Sequence, residues 1–496
     1  MSHFPDSNRG PTHYECVALP TEPKWRSRSA TFCQKRVQRY NKKLNCANFL
    51  AFFLYNCYKF CTFAPKMRKI VFIFLFCVLS MGLSAQTHTR VFNEHVRTLR
   101  VERKVLLLEN GVVDGMEPDN TLHISFDEMS HDVRMYTYTV VMMNGGMSAT
   151  ASLNGGMLSS EYLRGFTTRD ITDYEHSINT SREYTHYWFD FPNEDMALTK
   201  SGNYRLTIYE DGNPDNRVAE VDFCVVEPMV KIDTKARANT DIEFNGRYQQ
   251  VDVDVSLLHS AVSFQPSEFK VMVTQNNRLD NAVTMTQPTF VEPNRLRYIN
   301  NKALIFEAGN EYHHFDAFSC FYAGYGIDRV YHEMGDYHAL LFPNEITKGQ
   351  YIHEFDSDGR FVVNAERTND SDTEAEYMWV YWTVPAEKPW FDGMLYVGGD
   401  IFGNELSLRN RMQYDAEAKV YWLTALVKQG GYDYQYWFVP KASHQPSAVS
   451  HQKTTTQRVD GSYWQTENEY AVYVYWRPFG ARYDRLIGVQ IQKSTL

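Results

Sequence analysis

Val251-Asp252-Val253-Asp254-Val255 places a branched apolar side chain at every odd position and a carboxylate at every even one. A period of two sends successive side chains to opposite faces of an extended chain, so this stretch is a strand with one dry and one wet face. The signature recurs on both sides of it: Tyr136-Thr137-Tyr138-Thr139-Val140, Phe269-Lys270-Val271-Met272-Val273 and Tyr434-Gln435-Tyr436. Turn formers stand between the runs, among them Asp211-Gly212-Asn213-Pro214, Asp356-Ser357-Asp358-Gly359 and Gln429-Gly430-Gly431. Beyond residue 85 no long stretch keeps apolar residues at i, i+3, i+4 and i+7 over three turns. The expectation is an all-β protein of tandem immunoglobulin-like β-sandwich domains, with helices few and short.

The first 85 residues differ from the rest. Met67-Arg68-Lys69, the apolar run from Ile70 to Leu79 and the small residues Ser80 to Ala85 read as a secretory signal peptide, with cleavage expected between Ala85 and Gln86. The run is too short to span a bilayer, which takes about 20 residues, and Phe76 before Cys77 does not suit a lipoprotein acceptor. Residues 1–66 are basic, Cys-rich and aperiodic; they read as an extension from a reading frame started too early, with Met67 the true start, or as an extended targeting region.

Removing residues 1–85 takes 13 of the 50 Lys and Arg and 3 of the 60 Asp and Glu, so 37 basic residues face 57 acidic ones, a charge of −20. Such a field opposes nucleic acid, whose affinity rests on neutralised phosphates, and offers no polybasic patch for lipid. Six of the eight cysteines go with the same cut. Cys224 and Cys320 remain, expected as buried free thiols rather than a disulfide.

Some 410 residues exceed one core. Breaks at Glu227-Pro228 and at Pro385-Ala386-Glu387-Lys388-Pro389 suggest three blocks, 86–230, 231–388 and 389–496, each the size of a sandwich. Ser201-Gly202-Asn203-Tyr204 before a strand has the form of a tyrosine corner. The strands Tyr377 to Val384 and Tyr470 to Trp476 carry aromatics on both faces, so one face of each is either a binding surface or a second sheet contact.

Reactive constellations are missing. His332-Glu333 begins like a zinc-protease helix, but His338 follows His332 by six residues where four are needed. His313-His314, beside Glu311 and Asp316, are adjacent in a strand and point to opposite faces. Gly324-Tyr325-Gly326 lacks the third glycine and helix of a dinucleotide site. Asp252 and Asp254 alternate as a wet strand face does, not as a glycosidase pair. The expectation is a protein that binds and does not catalyse, with no cofactor and no metal.

Read in order, Leu122-His123-Ile124-Ser125-Phe126-Asp127, Glu161-Tyr162-Leu163-Arg164-Gly165-Phe166, Tyr184-Thr185-His186-Tyr187, Phe191-Pro192-Asn193-Glu194-Asp195 and Ser201-Gly202-Asn203-Tyr204 resemble the type IX secretion system plug protein family. The resemblance continues through Gln275-Asn276-Asn277-Arg278, Gly309-Asn310-Glu311-Tyr312, Lys428-Gln429-Gly430-Gly431-Tyr432 and Thr466-Glu467-Asn468-Glu469-Tyr470 to Tyr483-Asp484-Arg485-Leu486. It implies a periplasmic subunit that seats against the inner mouth of an outer-membrane translocon β-barrel and closes it, without inserting into the membrane. It carries over no catalytic residue and no interface residue. Met142-Met143-Asn144-Gly145-Gly146-Met147 departs from the family, which usually has His-Cys-Asn and a Trp there.

Residues 389–496 are also similar to glycogen-binding immunoglobulin-like modules, through Leu395-Tyr396-Val397-Gly398-Gly399-Asp400 and Val420-Tyr421-Trp422. That resemblance implies an exported carbohydrate binder, with Trp422 or Trp437 stacking on sugar rings or lying in the core. A third reading, a secreted substrate of the same system, calls for a further C-terminal sorting domain, and the chain ends directly after its last strand.

Overall fold

The computed structural model describes residues 89–109, 111–145, 157–258, 265–347, 349–441 and 454–494. The expected extension 1–66, the signal segment, the Ala85/Gln86 cleavage site and part of the altered loop after Gly145 lie outside the described residues. Strands dominate, and the two α-helices among the described residues, Ser159–Tyr162 and Ser371–Glu374, are four residues each. The all-β expectation holds.

In the first sandwich a sheet ordered Arg90–Val91, Arg217–Val226, Gly202–Glu210, Tyr136–Met143 and Thr168–Ile171 faces one ordered Val96–Glu102, Leu122–Glu128, Thr185–Phe191 and Asp173–His176. Their dry faces meet through aromatic rings: Tyr138 stacks on Phe189 at 4.6 Å, and Tyr136 meets Tyr187 edge-on at 5.0 Å. Pairs of this kind add roughly 0.5–1.5 kcal/mol beyond the area they bury. The Tyr204 hydroxyl donates to the Lys200 carbonyl at 2.7 Å, as a tyrosine corner requires.

Val230–Arg237 opens the second sandwich. Its first sheet runs through Tyr248–Leu257 to Arg295–Tyr298 and Phe290–Glu292. Its second is ordered Arg278–Met285, Phe269–Gln275, Glu469–Trp476 and Arg485–Lys493. Phe269 stands opposite Trp476 and Gln275 opposite Tyr470, so half of this sheet comes from the end of the chain.

The third sandwich is inserted between those halves. His313–Asp316, Gly430–Pro440, Phe361–Val363 and Gly393–Gly398 form one sheet. Ile327–Glu333, Asp336–Leu341, Tyr377–Pro385, Val420–Lys428 and Gln413–Asp415 form the other. Trp382 is wholly buried between them, edge-on to Phe315.

The boundary expected near residue 388 therefore does not hold. Tyr377–Pro385 pairs with Val420–Lys428 across it, and the Ala386 amide donates to the Lys419 carbonyl. Pro385 to Pro389 marks a loop within one sandwich, because proline and charge punctuate any strand end, including one whose partner lies in the same sheet.

Candidate functional site

The residues singled out from sequence do not converge. His332 lies on Ile327–Glu333 and His338 on Asp336–Leu341, opposite Tyr337 and Tyr331 in a hairpin, with no helix to bring them together. On His313–Asp316 the two imidazoles diverge: His313 reaches Asp460 at 2.9 Å, while His314 bridges Asp433 at 2.6 Å and Asp316 at 2.8 Å. Glu311 accepts from the Tyr351 hydroxyl. Gly324 and Gly326 let the loop after Asp316 fold back, and a Cβ on either would strike the carbonyl oxygen of Asp316 or His314. Among the described residues no group of three or more His, Cys, Asp or Glu is arranged to hold a metal ion.

Asp254 takes Arg297 at 2.8 Å and Arg295 at 2.9 Å, and Asp252 takes Arg237 at 3.3 Å, so both carboxylates join a ladder of ion pairs on the wet face. Cys224 and Cys320 are free and buried. Trp437 is wholly buried, pressed by Gly398 on one side and by the Arg278 guanidinium, 4.2 Å from its ring centre, so it offers no platform to a sugar. Trp422 stands half-buried between Thr383 and Gln413 on neighbouring strands.

The two strands with aromatics on both faces have different fates. Along Glu469–Trp476, Tyr470, Val472, Val474 and Trp476 enter the second core. Ala471, Tyr473 and Tyr475 meet Cys224 and Val226 of the first sandwich. Both faces are thus spent on packing. Along Tyr377–Pro385, Met378, Val380, Trp382 and Val384 enter the third core. Tyr377, Trp379, Tyr381 and Thr383 therefore look the other way.

The first sandwich covers that outer face at one end. The Tyr377 hydroxyl donates to Asp127 Oδ2 at 2.7 Å and lies 2.6 Å from Thr98 Oγ1. Lys428, opposite Tyr377 on the next strand, donates to the same Asp127 oxygen at 2.7 Å and to the Asp372 carbonyl at 2.6 Å, with its ammonium 4.2 Å from the Tyr184 ring centre. His186 completes the cluster, 2.6 Å from Asp127 Oδ1. Burial works against the Asp127 charge, but Lys428 and His186 together hold its carboxyl below the usual range. Ser181 and Arg182 extend the seam: Ser181 binds Glu376 at 2.7 and 2.8 Å, and Arg182 forks onto Asp336 at 2.9 and 2.7 Å.

Past Tyr377 and Lys428 the described residues leave the face only half-buried. Tyr331 stacks on His338 at 4.7 Å, and His338 lies 5.9 Å from Tyr381, whose hydroxyl is 2.9 Å from its Nδ1. Trp379 donates to Asp336 at 3.1 Å under the Arg182 guanidinium. Leu340, Trp422, Thr424 and Leu426 occupy the same face by alternation, all half-buried. The faces of Tyr331, His338 and Tyr381 are used on one another, so the row presents ring edges and hydroxyls rather than a coplanar floor for sugars.

Sequence reasoning named neither this notch nor the charge cluster at its root. A signal was present: Asp127, Tyr184 with His186, and Lys428 come from three of the strings that carry the family resemblance, and they meet here.

Residues 96–227 match the family described as Type 9 secretion system plug protein 1st domain. No curated protein matches the chain. A crystal structure of a hypothetical protein from Parabacteroides merdae is 35% identical, with a TM-score of 0.75, and the match covers 82% of this chain and 100% of that one. A partial N-terminal region of an enterococcal surface protein aligns over 83% of this chain and 98% of its own at 6% identity and a TM-score of 0.19, and bears on nothing here.

Proposed function

Because the chain belongs to the type 9 secretion system plug protein family, we propose that it works in the periplasm by closing the inner mouth of the outer-membrane translocon barrel through protein–protein binding, without catalysis. The observation that supports this reading is mechanical. A stopper has to resist deformation, and here the three sandwiches are joined by buried contacts rather than by linkers. Lys428 and Asp127, each 1% exposed, tie the third sandwich to the first. Asp484, also 1% exposed, takes Arg477 at 2.7 Å and Lys270 at 3.3 Å within the second sandwich and the Gly145 amide of the first at 3.0 Å. Charged groups this deep tolerate no loosening, since separating them strands a desolvated charge.

Among the described residues no helix is long and apolar enough to cross a membrane. The acidic surface would favour encounter with a basic partner and set its orientation more than it would add affinity.

The test is affinity capture with tagged residues 86–496 from detergent-solubilised outer membrane, followed by mass spectrometry. One very large barrel protein retained in stoichiometric amount is the expected result. Retention of no barrel under gentle conditions, with a saturable signal on a glycan array, would overturn the reading.

A further inference from the structure

We propose that the open part of the sheet face beside the first sandwich is where the partner docks, and that it receives a protein segment with an aliphatic or aromatic tip flanked by lysine or arginine. The inference rests on the plug reading and gives that reading a surface.

Four observations carry it. First, the centre is dry: His338, Leu340, Trp379, Tyr381, Trp422 and Leu426 bear no carboxylate and no ammonium, on a chain that carries −20 beyond residue 85. Aromatic enrichment with charge excluded from the middle is the composition of an interface core. Second, the charges of the rim are mostly negative. Asp328, Glu333 and Glu417 are exposed on the strands and turn that border it, against Arg329 and a Lys419 already held by Glu387 at 2.7 Å. That sign selects a basic surround on the partner and opposes a second copy of this chain, which would bring the same carboxylates against these.

Third, the face continues an interface that already exists. The first sandwich occupies it at Tyr377 and Lys428 and stops, leaving a step whose floor is the sheet and whose wall includes Arg182. A projecting segment gains contacts on two sides in such a corner. Fourth, the floor is set in advance. Trp379 is fixed by Asp336, and His338 by Tyr381, so little side-chain freedom remains to be lost on binding.

Size fixes the kind of contact. Four strands about 4.8 Å apart and five residues long at about 3.3 Å each give roughly 300 Å². A stable interface takes about 800 Å² from each partner. The floor is thus the dry centre of a larger contact that the wall and rim complete.

The experiment uses residues 86–496 with a photo-crosslinking phenylalanine derivative at Thr424 or, as the control, at Lys231 on the exposed edge of the second sandwich. Crosslinked barrel peptides are mapped by mass spectrometry. The expected result is crosslinking from position 424 to an apolar segment with flanking Lys or Arg, and none from position 231. Alongside it, Leu340→Glu with Trp422→Glu should lower barrel retention at least tenfold, while circular dichroism and the thermal midpoint stay near those of the unaltered chain. Folded double variants that retain the barrel fully, or crosslinks arising only from position 231, sink the docking proposal and leave the plug reading standing. An unaltered chain that retains no barrel sinks both.

Discussion

Lys428 Nζ lies 2.7 Å from Asp127 Oδ2 across 301 residues of sequence, and neither side chain is more than 1% exposed. A pair buried this fully is costly to break and cheap to replace as a unit. Lys428→Met should therefore destabilise the protein by about 3–5 kcal/mol, whereas Lys428→Met combined with Asp127→Leu, Tyr377→Phe and His186→Leu, which removes the whole buried cluster, should recover part of that loss. Urea denaturation of the two variants checks it, and a combined variant weaker than the single one would contradict the argument.

His314 sits between Asp433 and Asp316, and the hydrogen bond to Asp433 is the main reason its pKa rises to about 9. Unfolded, the same imidazole titrates near 6.5. The folded state thus holds a proton that the unfolded state releases, so this contribution is complete below about pH 6.5 and is lost as pH climbs through 9. Stability measured by denaturant should fall across that window. His314→Gln should flatten the fall, and an unchanged slope in that variant would assign it elsewhere.

Tyr432 donates its hydroxyl to the Lys428 carbonyl at 2.6 Å, repeating in the third sandwich the bond that Tyr204 makes to Lys200 in the first. Each phenylalanine variant takes this donor from a carbonyl, buried at Lys428 and partly buried at Lys200. Tyr204→Phe and Tyr432→Phe should each cost about 1–2 kcal/mol. Differential scanning calorimetry on the pair reads both, and a cost near zero would mean that water replaces the hydroxyl.

Cys224 lies in the seam between the first and second sandwiches, where burial pushes its thiol up to about 12. Reaction needs both exposure and a thiolate. Iodoacetamide at pH 8 should label Cys224 only as fast as the seam opens, and labelling should accelerate with denaturant. Rapid labelling of the native protein would show that the first sandwich swings free of the second.

The period-two runs were enough to read the fold class, since alternation is a local property, and Tyr204 was legible because its partner is four residues away. The match between Phe269–Gln275 and Glu469–Trp476 was not. Nothing local in either strand says which of many similar strands it pairs with, and almost two hundred residues separate them. Trp437 shows the limit from the other side: an aromatic in a strand reads alike whether its neighbour is solvent or Gly398, and only the pairing of Tyr396 with Trp437 brings that glycine over the ring. The cluster of Asp127, His186 and Lys428 was hidden for the same reason, although the Lys-x-Gly-x-Tyr spacing at 200–204 and again at 428–432 was there to be noticed.

The late return of the chain to the second sandwich sets an order of assembly. A polypeptide that appears from its N-terminus can finish its first sandwich and then its inserted third, while the second waits with Phe269–Gln275 as a bare edge until Glu469–Trp476 and Arg485–Lys493 arrive. The last thirty residues thus act as a keystone: until they are set, the first and third sandwiches stand finished beside an unfinished second. An unpaired strand is a template for wrong partners during that interval, so a chain that loses this tail should lose the second sandwich before either of the others.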